Sequence, residues 1–300
     1  MAQCLKTKAL FRSPTVYVGD VRCRPTDGGC SCEEVSRNDD FAFVRRGVFV
    51  KHVGRREYTA NPNHVVFFNR DEPYRVSHPI AGGDDCTAFS VRRDVLASML
   101  AEHDPAALER RTPAFPRAEV TCDAALHLRH LRLMTAVASG ELTDVGAEEQ
   151  VLQLVREVID RSRANESRGR RSRRPKTDSA HRDRVEATKR ILSQRYATPT
   201  SLDEIAGVVH TSPYHLCRVF RELTGRSIHA YRTDLRLRAA LHRLAEGERD
   251  LTRLALDLGF ADHGHFSNAF RRVFRMSPSA FRGIATRRSL REMSRNVQVS

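Results

Sequence analysis

The sequence has no run of about 18 apolar residues, the length a bilayer crossing needs, so no membrane span or membrane partner is expected. Its start, Met1 to Phe11, is too short and too polar for a secretory signal, and the expected location is the cytoplasm. The paired C-x2-C spacing of a structural zinc motif is also missing. Cysteines stand at 4, 23, 30, 32, 86, 122 and 217, and the C-x6-C-x-C cluster of Cys23, Cys30 and Cys32 falls short of that spacing. An odd number of cysteines with no export signal argues for reduced thiols rather than a disulfide framework. No metal and no cofactor are expected.

Charge is abundant but uneven. Residues 1–160 hold 21 Lys/Arg against 23 Asp/Glu, residues 161–182 hold 9 against 2, and residues 183–300 hold 21 against 12. The basic surplus is thus confined to the C-terminal half. Such a surplus suits a polyanion-binding module, because each neutralised phosphate releases counterions and adds affinity independent of sequence.

Residues 40–91 read as β-rich. Phe41 and Phe43 alternate with small residues, Val48 to Val50 and His64 to Phe68 are short apolar runs, and Pro and Gly turns separate them. Short strands with such turns predict a small barrel or jelly roll. Phe41, Phe43, Phe49, Phe68 and Tyr74 would line its mouth or fill its core. The pattern turns helical over 93–103 and 121–162, where Val151, Leu152, Leu154, Val155, Val158 and Ile159 form an apolar stripe that fits either a dimerisation helix or a core helix. Residues 161–182 have almost no large apolar side chain and dense positive charge, which predicts a flexible linker.

Beyond the linker, one layout occurs twice. Ser201 and Glu204 form a capping box for a helix whose apolar face is Leu202, Ile205, Ala206 and Val209. His210 and Thr211 turn the chain, and Ser212 caps a second helix that has Pro213 at its first position. Leu216, Val219, Phe220 and Leu223 fall at i, i+3, i+4 and i+7 and should face inward, leaving Tyr214, Cys217, Arg218 and Arg221 outward. About 50 residues on, Leu251, Leu254, Ala255 and Leu258 pack one helix, Gly259 to Ala261 turn, and Asp262 caps a helix with Phe266, Phe270 and Val273 inside. Between the two, Ile228, Tyr231, Leu235, Ala239, Leu241 and Leu244 fit one long amphipathic helix. A single helix-turn-helix pattern is weak evidence, but two copies on a rigid connector in the basic half point to DNA. A helix in the major groove can aim Arg at guanine or Asn at adenine.

Residues 201–282 resemble the DNA-binding domain of the AraC/XylS family of transcription regulators. The matching stretches are SLDEIA, TSPYHLCRVFRELTGRS, YRTDLRLRAALHRL and LALDLGFADHGHFSNAFRRVFRMSPSAFR. The last is the most specific, with Gly259 and Phe260 at the turn, Asp262 as cap, Phe266 and Phe270, Arg271 and Arg272, then Ser277, Pro278, Phe281 and Arg282 in order. Three positions depart from the pattern: His210 in the first turn and Arg275 after the last recognition helix replace the family's glycines, and Gly264 replaces a common Ser. His210 would have to accept an unusual backbone conformation, and the helix before Arg275 could end differently.

The resemblance implies an α+β chain: an N-terminal small β-barrel, cupin-like, with helices, then an all-α C-terminal domain. The implied domains are 1–160 for effector binding or dimerisation, the linker 161–182, 183–288 for DNA and a tail 289–300. It implies sequence-specific DNA binding, with both recognition helices entering successive segments of the major groove. Carried over residue by residue, base-edge candidates are Tyr214, His215, Cys217 and Arg218 in the first recognition helix and His263, His265 and Asn268 in the second, with Arg221, Arg271 and Arg272 placed for phosphate. Double-stranded promoter DNA is the implied partner, with a small-molecule effector, RNA polymerase and a second copy of the chain as further candidates. His52, His64 and His78 lack the H-x-H pair and downstream Glu of a metal cupin, and no catalytic residue is assigned. Two other readings stay open: a non-specific architectural DNA-binding protein, and a DNA alkyl-repair regulator, which would need a reactive cysteine in a Pro-Cys-His setting that none of the seven has.

Overall fold

A computed structural model of the chain describes residues 5–25, 31–105, 115–169 and 175–285. Ten strands and ten helices are described. The strands are β1 (Leu5–Arg12), β2 (Val16–Cys23), β3 (Glu34–Val35), β4 (Asp40–Gly47), β5 (Phe49–Val53), β6 (Arg56–Ala60), β7 (His64–Phe68), β8 (Pro73–Ser77), β9 (Asp84–Val91) and β10 (Glu119–Thr121). Helices α1 (Arg93–Ala101), α2 (Ala124–Ser139) and α3 (Asp144–Gly169) complete the N-terminal half, and β10 precedes α2.

The strands form two antiparallel sheets, ordered β1-β2-β9-β4-β7-β10 and β3-β8-β5-β6. Neither closes on itself among the described residues, so the mixed α+β class holds but the expected barrel is replaced by a pair of packed sheets. Alternation along β4 explains the layering, because successive side chains leave a strand on opposite faces. Phe41 and Phe43 join Val65, Phe67 and Phe89 on the face covered by helices. Ala42 and Val44 join Phe49, Ala60 and Val66 in a second cluster on the opposite face. The helical cover uses most of the apolar stripe of α3: Val151, Leu154, Val155, Val158 and Ile159 are buried in this core, as a core helix requires, and Leu152 is half-buried against it.

The aromatic side chains pack rather than line an opening. Phe41 stacks on Phe89 at 5.1 Å, Phe67 on Phe115 at 4.3 Å and Phe43 on the ring of His130 at 4.3 Å. Phe49 is buried, and Phe68 meets Tyr74 edge-on at 5.0 Å beneath the buried Lys51. Strands β1 and β2 lie before the stretch read as β-rich. β1 escapes the apolar pattern because it is an edge strand whose side chains are mostly exposed.

The C-terminal half is all helical: α4 (Pro175–Arg195), α5 (Leu202–Val208), α6 (Pro213–Thr224), α7 (Ile228–Ala245), α8 (Leu251–Asp257), α9 (His263–Phe274) and α10 (Pro278–Ala285). The expected flexible linker is helical where described: α3 continues through 161–169 and α4 covers 175–182, while 170–174 lie outside the described residues, as does the tail 289–300.

The halves are joined by buried polar contacts. Asn61 donates to Ser193 Oγ at 2.8 Å and to the Tyr231 hydroxyl at 2.7 Å. Arg238 donates to the Asn63 side chain and to the Cys122 carbonyl. Lys189 pairs with Glu119 at 2.5 Å and Glu186 at 2.8 Å, and Glu186 accepts from the Thr59 amide at 2.6 Å. Further along, Ala124, Leu128 and Leu131 of α2 pack against the core built on Phe266, Phe270 and Phe274.

Candidate nucleic-acid interface

Each helix-turn-helix unit begins as its sequence dictates. Ser201 Oγ accepts from the Glu204 amide at 3.1 Å while Glu204 accepts from the Ser201 amide at 2.7 Å, so the capping box satisfies two of the exposed donors that open α5. Ser212 Oγ accepts from the His215 amide at 3.3 Å to start α6, and Asp262 accepts from the His265 amide at 2.7 Å to start α9. Asp250 caps α8 in the same way at 2.9 Å. Ile205, Ala206, Val209, Leu216, Val219 and Phe220 are buried together, as are Leu254, Ala255, Leu258, Phe266 and Phe270. Leu223 departs from its expected place: it is 48% exposed, because α6 ends one residue later and its last turn stands clear of the core.

The ten candidate contacts divide by exposure. On α6, Tyr214 is 81% exposed and forms one stripe with Cys217, Arg218 and Arg221, all exposed. Arg218 lies 3.6 Å from Glu222, an exposed i,i+4 pair that leaves the guanidinium able to exchange partners. His215 is the exception: it is half-buried, and its Nε2 lies 3.2 Å from Nε2 of His181 on α4, with Arg218 at 3.4 Å from its other ring nitrogen. Its ring is therefore turned toward α4 as well as Arg218. On α9, His263, His265, Asn268, Arg271 and Arg272 are all exposed. His263 Nε2 lies 3.2 Å from Ser267 Oγ, and the His265 ring meets Phe260 edge-on at 5.5 Å. His265, Asn268 and Arg272 share a face at i, i+3 and i+7.

The scaffold around these helices depends on residues that periodicity did not single out. Arg232 and Arg236 of α7 both donate to the Tyr196 carbonyl, at 3.0 and 2.6 Å, and Arg232 also reaches the carbonyls of Thr198 and Thr200. They satisfy the carbonyls that follow α4, where no amide is left to do so. Burial beside Arg232 lowers the pKa of Arg236 to about 10. Gly259, with φ of +79°, approaches the same segment so closely that a Cβ there would collide with the Ala197 carbonyl oxygen. The signal in the sequence is a single pair of arginines four residues apart, Arg232 and Arg236, one turn from each other on α7.

Two departures from the family pattern resolve. His210 does take the left-handed conformation, with φ of +52°. Arg275 does so as well, with φ of +60°, and so ends α9 in the manner in which Gly225, with φ of +71°, ends α6. The helix therefore does not end differently, and the arginine accepts the strain a glycine would avoid.

Residues 205–284 match a family model described as a helix-turn-helix domain. The chain is 37% identical over 83 residues to the HTH-type transcriptional regulator GlxA of Rhizobium meliloti, covering 28% of this chain and 25% of that protein. It is 35% identical over 91 residues to the HTH-type transcriptional activator RhaS of Escherichia coli O157:H7, covering 30% and 33%. With the HTH-type transcriptional regulator ArgR of Pseudomonas aeruginosa the identity is 28% over 148 residues, 49% and 43% of the two chains. The chain thus spans less than half the length of each of these relatives. Superposition on ToxT from Vibrio cholerae covers 95% of this chain and 100% of that one at 11% identity, with a TM-score of 0.35.

Proposed function

We propose that this chain, whose C-terminal domain is of the AraC helix-turn-helix type, is a sequence-specific DNA-binding transcription regulator. One observation carries the reading above the rest: two separately capped helix-turn-helix units are fixed to one helix, α7, and each presents an exposed stripe with arginine among polar side chains. An architectural protein needs the charge but not the duplication. The relatives named as transcriptional regulators and activators support the same conclusion.

In this reading α6 and α9 enter successive segments of the major groove of promoter DNA. Tyr214, Cys217 and Arg218 read bases from α6, with His215 at their edge, and His263, His265 and Asn268 read from α9. Arg221, Arg271 and Arg272 hold phosphates. The two-sheet half, residues 1–160, serves effector binding or self-association, and the DNA-binding domain spans 183–288 with the first part of α4 ahead of it. The chemistry is binding rather than catalysis, carried out on DNA in the cytoplasm, with RNA polymerase as the downstream partner of a regulator.

Selection of the full chain on random duplexes tests this. The expected product is a motif with two conserved segments about one helical turn, roughly 10 base pairs, apart, and an affinity that falls steeply with salt. Enrichment of no sequence, with equal affinity for all duplexes, would leave the architectural reading in its place.

A further inference from the structure

The end of the first sheet brings together three potential metal ligands. In the β2·β9 ladder Cys23 lies directly opposite Asp84, and Val21 opposite Cys86. Residues facing each other across an antiparallel pair project from the same face, and Asp84 and Cys86 alternate onto that face too. The second sheet contributes His78, just past the end of β8. The ligand atoms of Cys23, His78 and Asp84 all lie within 4.8 Å of one another. His78 and Asp84 are buried, at 6% and 5% exposure, while Cys23 is half-buried at the rim.

The surroundings are built to hold this arrangement. Asp84 uses both oxygens: one lies 2.7 Å from His78 Nε2, and the other accepts from the Cys86 thiol at 3.0 Å. Arg24 donates to the carbonyls of both Cys23 and Asp84 at 2.9 Å, clamping the two strand ends. Gly83, with φ of +65°, approaches so closely that a Cβ would strike the Cys23 carbonyl, and Gly47, with φ of +81°, is pressed against Gly83 in turn.

We propose that Cys23, His78 and Asp84 form a binding site for a thiophilic divalent cation of the zinc class. One thiolate, one imidazole and one carboxylate are the donor types that zinc takes, and three protein ligands leave a fourth position for water or a small ligand. The cation replaces the thiol proton of Cys23, and the Cys86 thiol orients the Asp84 carboxylate from behind, as outer donors do at metal sites. Cys23 is distant in sequence from His78 and Asp84, and the three come from the end of β2, the segment after β8 and the start of β9, so no spacing motif announces them. Cys30, the other member of the expected cysteine cluster with Cys32, lies outside the described residues.

Occupancy has a route to the DNA-binding half. The loop between His78 and Asp84, with Ile80 and Gly82 at its centre, forms one wall of a cleft of about 370 Å³ whose far wall includes Tyr196, Leu235 and Ala239. Gln194 of α4 donates to the Pro79 carbonyl at 3.0 Å. Drawing His78 and Asp84 onto a cation therefore moves a loop that touches α4 and faces the helix joining both units. This second step rests on the DNA-binding reading, whereas cation binding does not.

The test strips the full chain of metal with a chelator and titrates it with Co²⁺ and Zn²⁺. Cobalt should bind in equimolar amount with thiolate charge-transfer absorption, which Cys23→Ser abolishes while Cys32→Ser and Cys217→Ser, at exposed thiols, retain it. X-ray absorption of the zinc-loaded wild-type chain needs no variant: it should show a single sulfur near ~2.3 Å with nitrogen and oxygen near ~2.0 Å. A shell of nitrogen and oxygen only, several sulfurs, or charge-transfer absorption that survives Cys23→Ser overturns the site. With the site established, zinc should change the affinity of the wild-type chain for its selected duplex but not that of Cys23→Ser, and an unchanged wild-type affinity overturns the coupling alone.

Discussion

The two helix-turn-helix units solve the same backbone problem in opposite places. Each needs two left-handed residues, one in the turn and one after the recognition helix. The first unit places His210 in the turn and Gly225 after α6, while the second places Gly259 in the turn and Arg275 after α9. The reason lies in what each position touches. The turn of the second unit is pressed against the segment after α4 and has no room for a side chain, whereas nothing lies within 4 Å of a Cβ at Gly225. Glycine is obligatory where the backbone is crowded, and elsewhere a larger residue can take the conformation at a cost of about 1–2 kcal/mol. The units also dock differently on the N-terminal half: the first through Tyr231, Ser193 and Lys189 and their hydrogen bonds, the second through apolar packing of Phe274 and its neighbours on α2.

Acid should break that difference in docking most strongly. Burial, with Lys189 nearby, holds the pKa of His64 well below its usual value, and His64 packs 5.8 Å from the ring of Tyr231. Burial likewise lowers His127, and lowers His130 to about 3. These rings stay neutral in the folded chain when the unfolded chain would protonate them. Stability is therefore flat above the unfolded pKa of about 6.5 and falls below it, by about 1.4 kcal/mol per pH unit for each ring, until the folded pKa is reached. Chemical denaturation at pH 7 and pH 5 should show this loss; equal stabilities would contradict it.

Gly259→Ala comes next, with an expected cost of about 3 kcal/mol or more from backbone strain and overpacking together. Gly225→Ala meets only the strain and should cost about 1 kcal/mol. Urea midpoints of the two variants check the contrast, and equal losses would remove the crowding argument. The smallest effect is of opposite sign. Arg275→Gly relieves strain but gives the unfolded chain more freedom, for a net gain of about 0.5–1 kcal/mol, and a destabilised variant would show that the arginine side chain contributes more than its backbone costs.

The capped units were legible because their signals are local: Ser201 with Glu204, Ser212 with Pro213, and Asp262 each specify a helix start within four residues. The layering of β4 was legible through its alternation. What could not be read depends on partners distant in the chain. Arg238 looks like one more surface arginine of a helix until Asn63 and Cys122 come to meet it, 4% exposed. His215 stands among the outward candidates by position, yet His181, on a helix hidden in what reads as linker, takes hold of its ring. The two sheets were read as one barrel because strand spacing does not say which edges pair.

The central claim is that α6 reads bases while the end of α9 holds the backbone, and one set of titrations tests it. Wild type, Arg218→Ala and Arg272→Ala are each titrated against the selected duplex and a scrambled one at several salt concentrations. Arg218→Ala should lose about 1–3 kcal/mol on the selected duplex and little on the scrambled one, relaxing preference at one base position. Arg272→Ala should weaken both duplexes nearly equally and reduce the salt slope by about one unit. If Arg218→Ala weakened both duplexes by the same factor, Arg218 would be a phosphate contact and α6 would not be reading sequence through it.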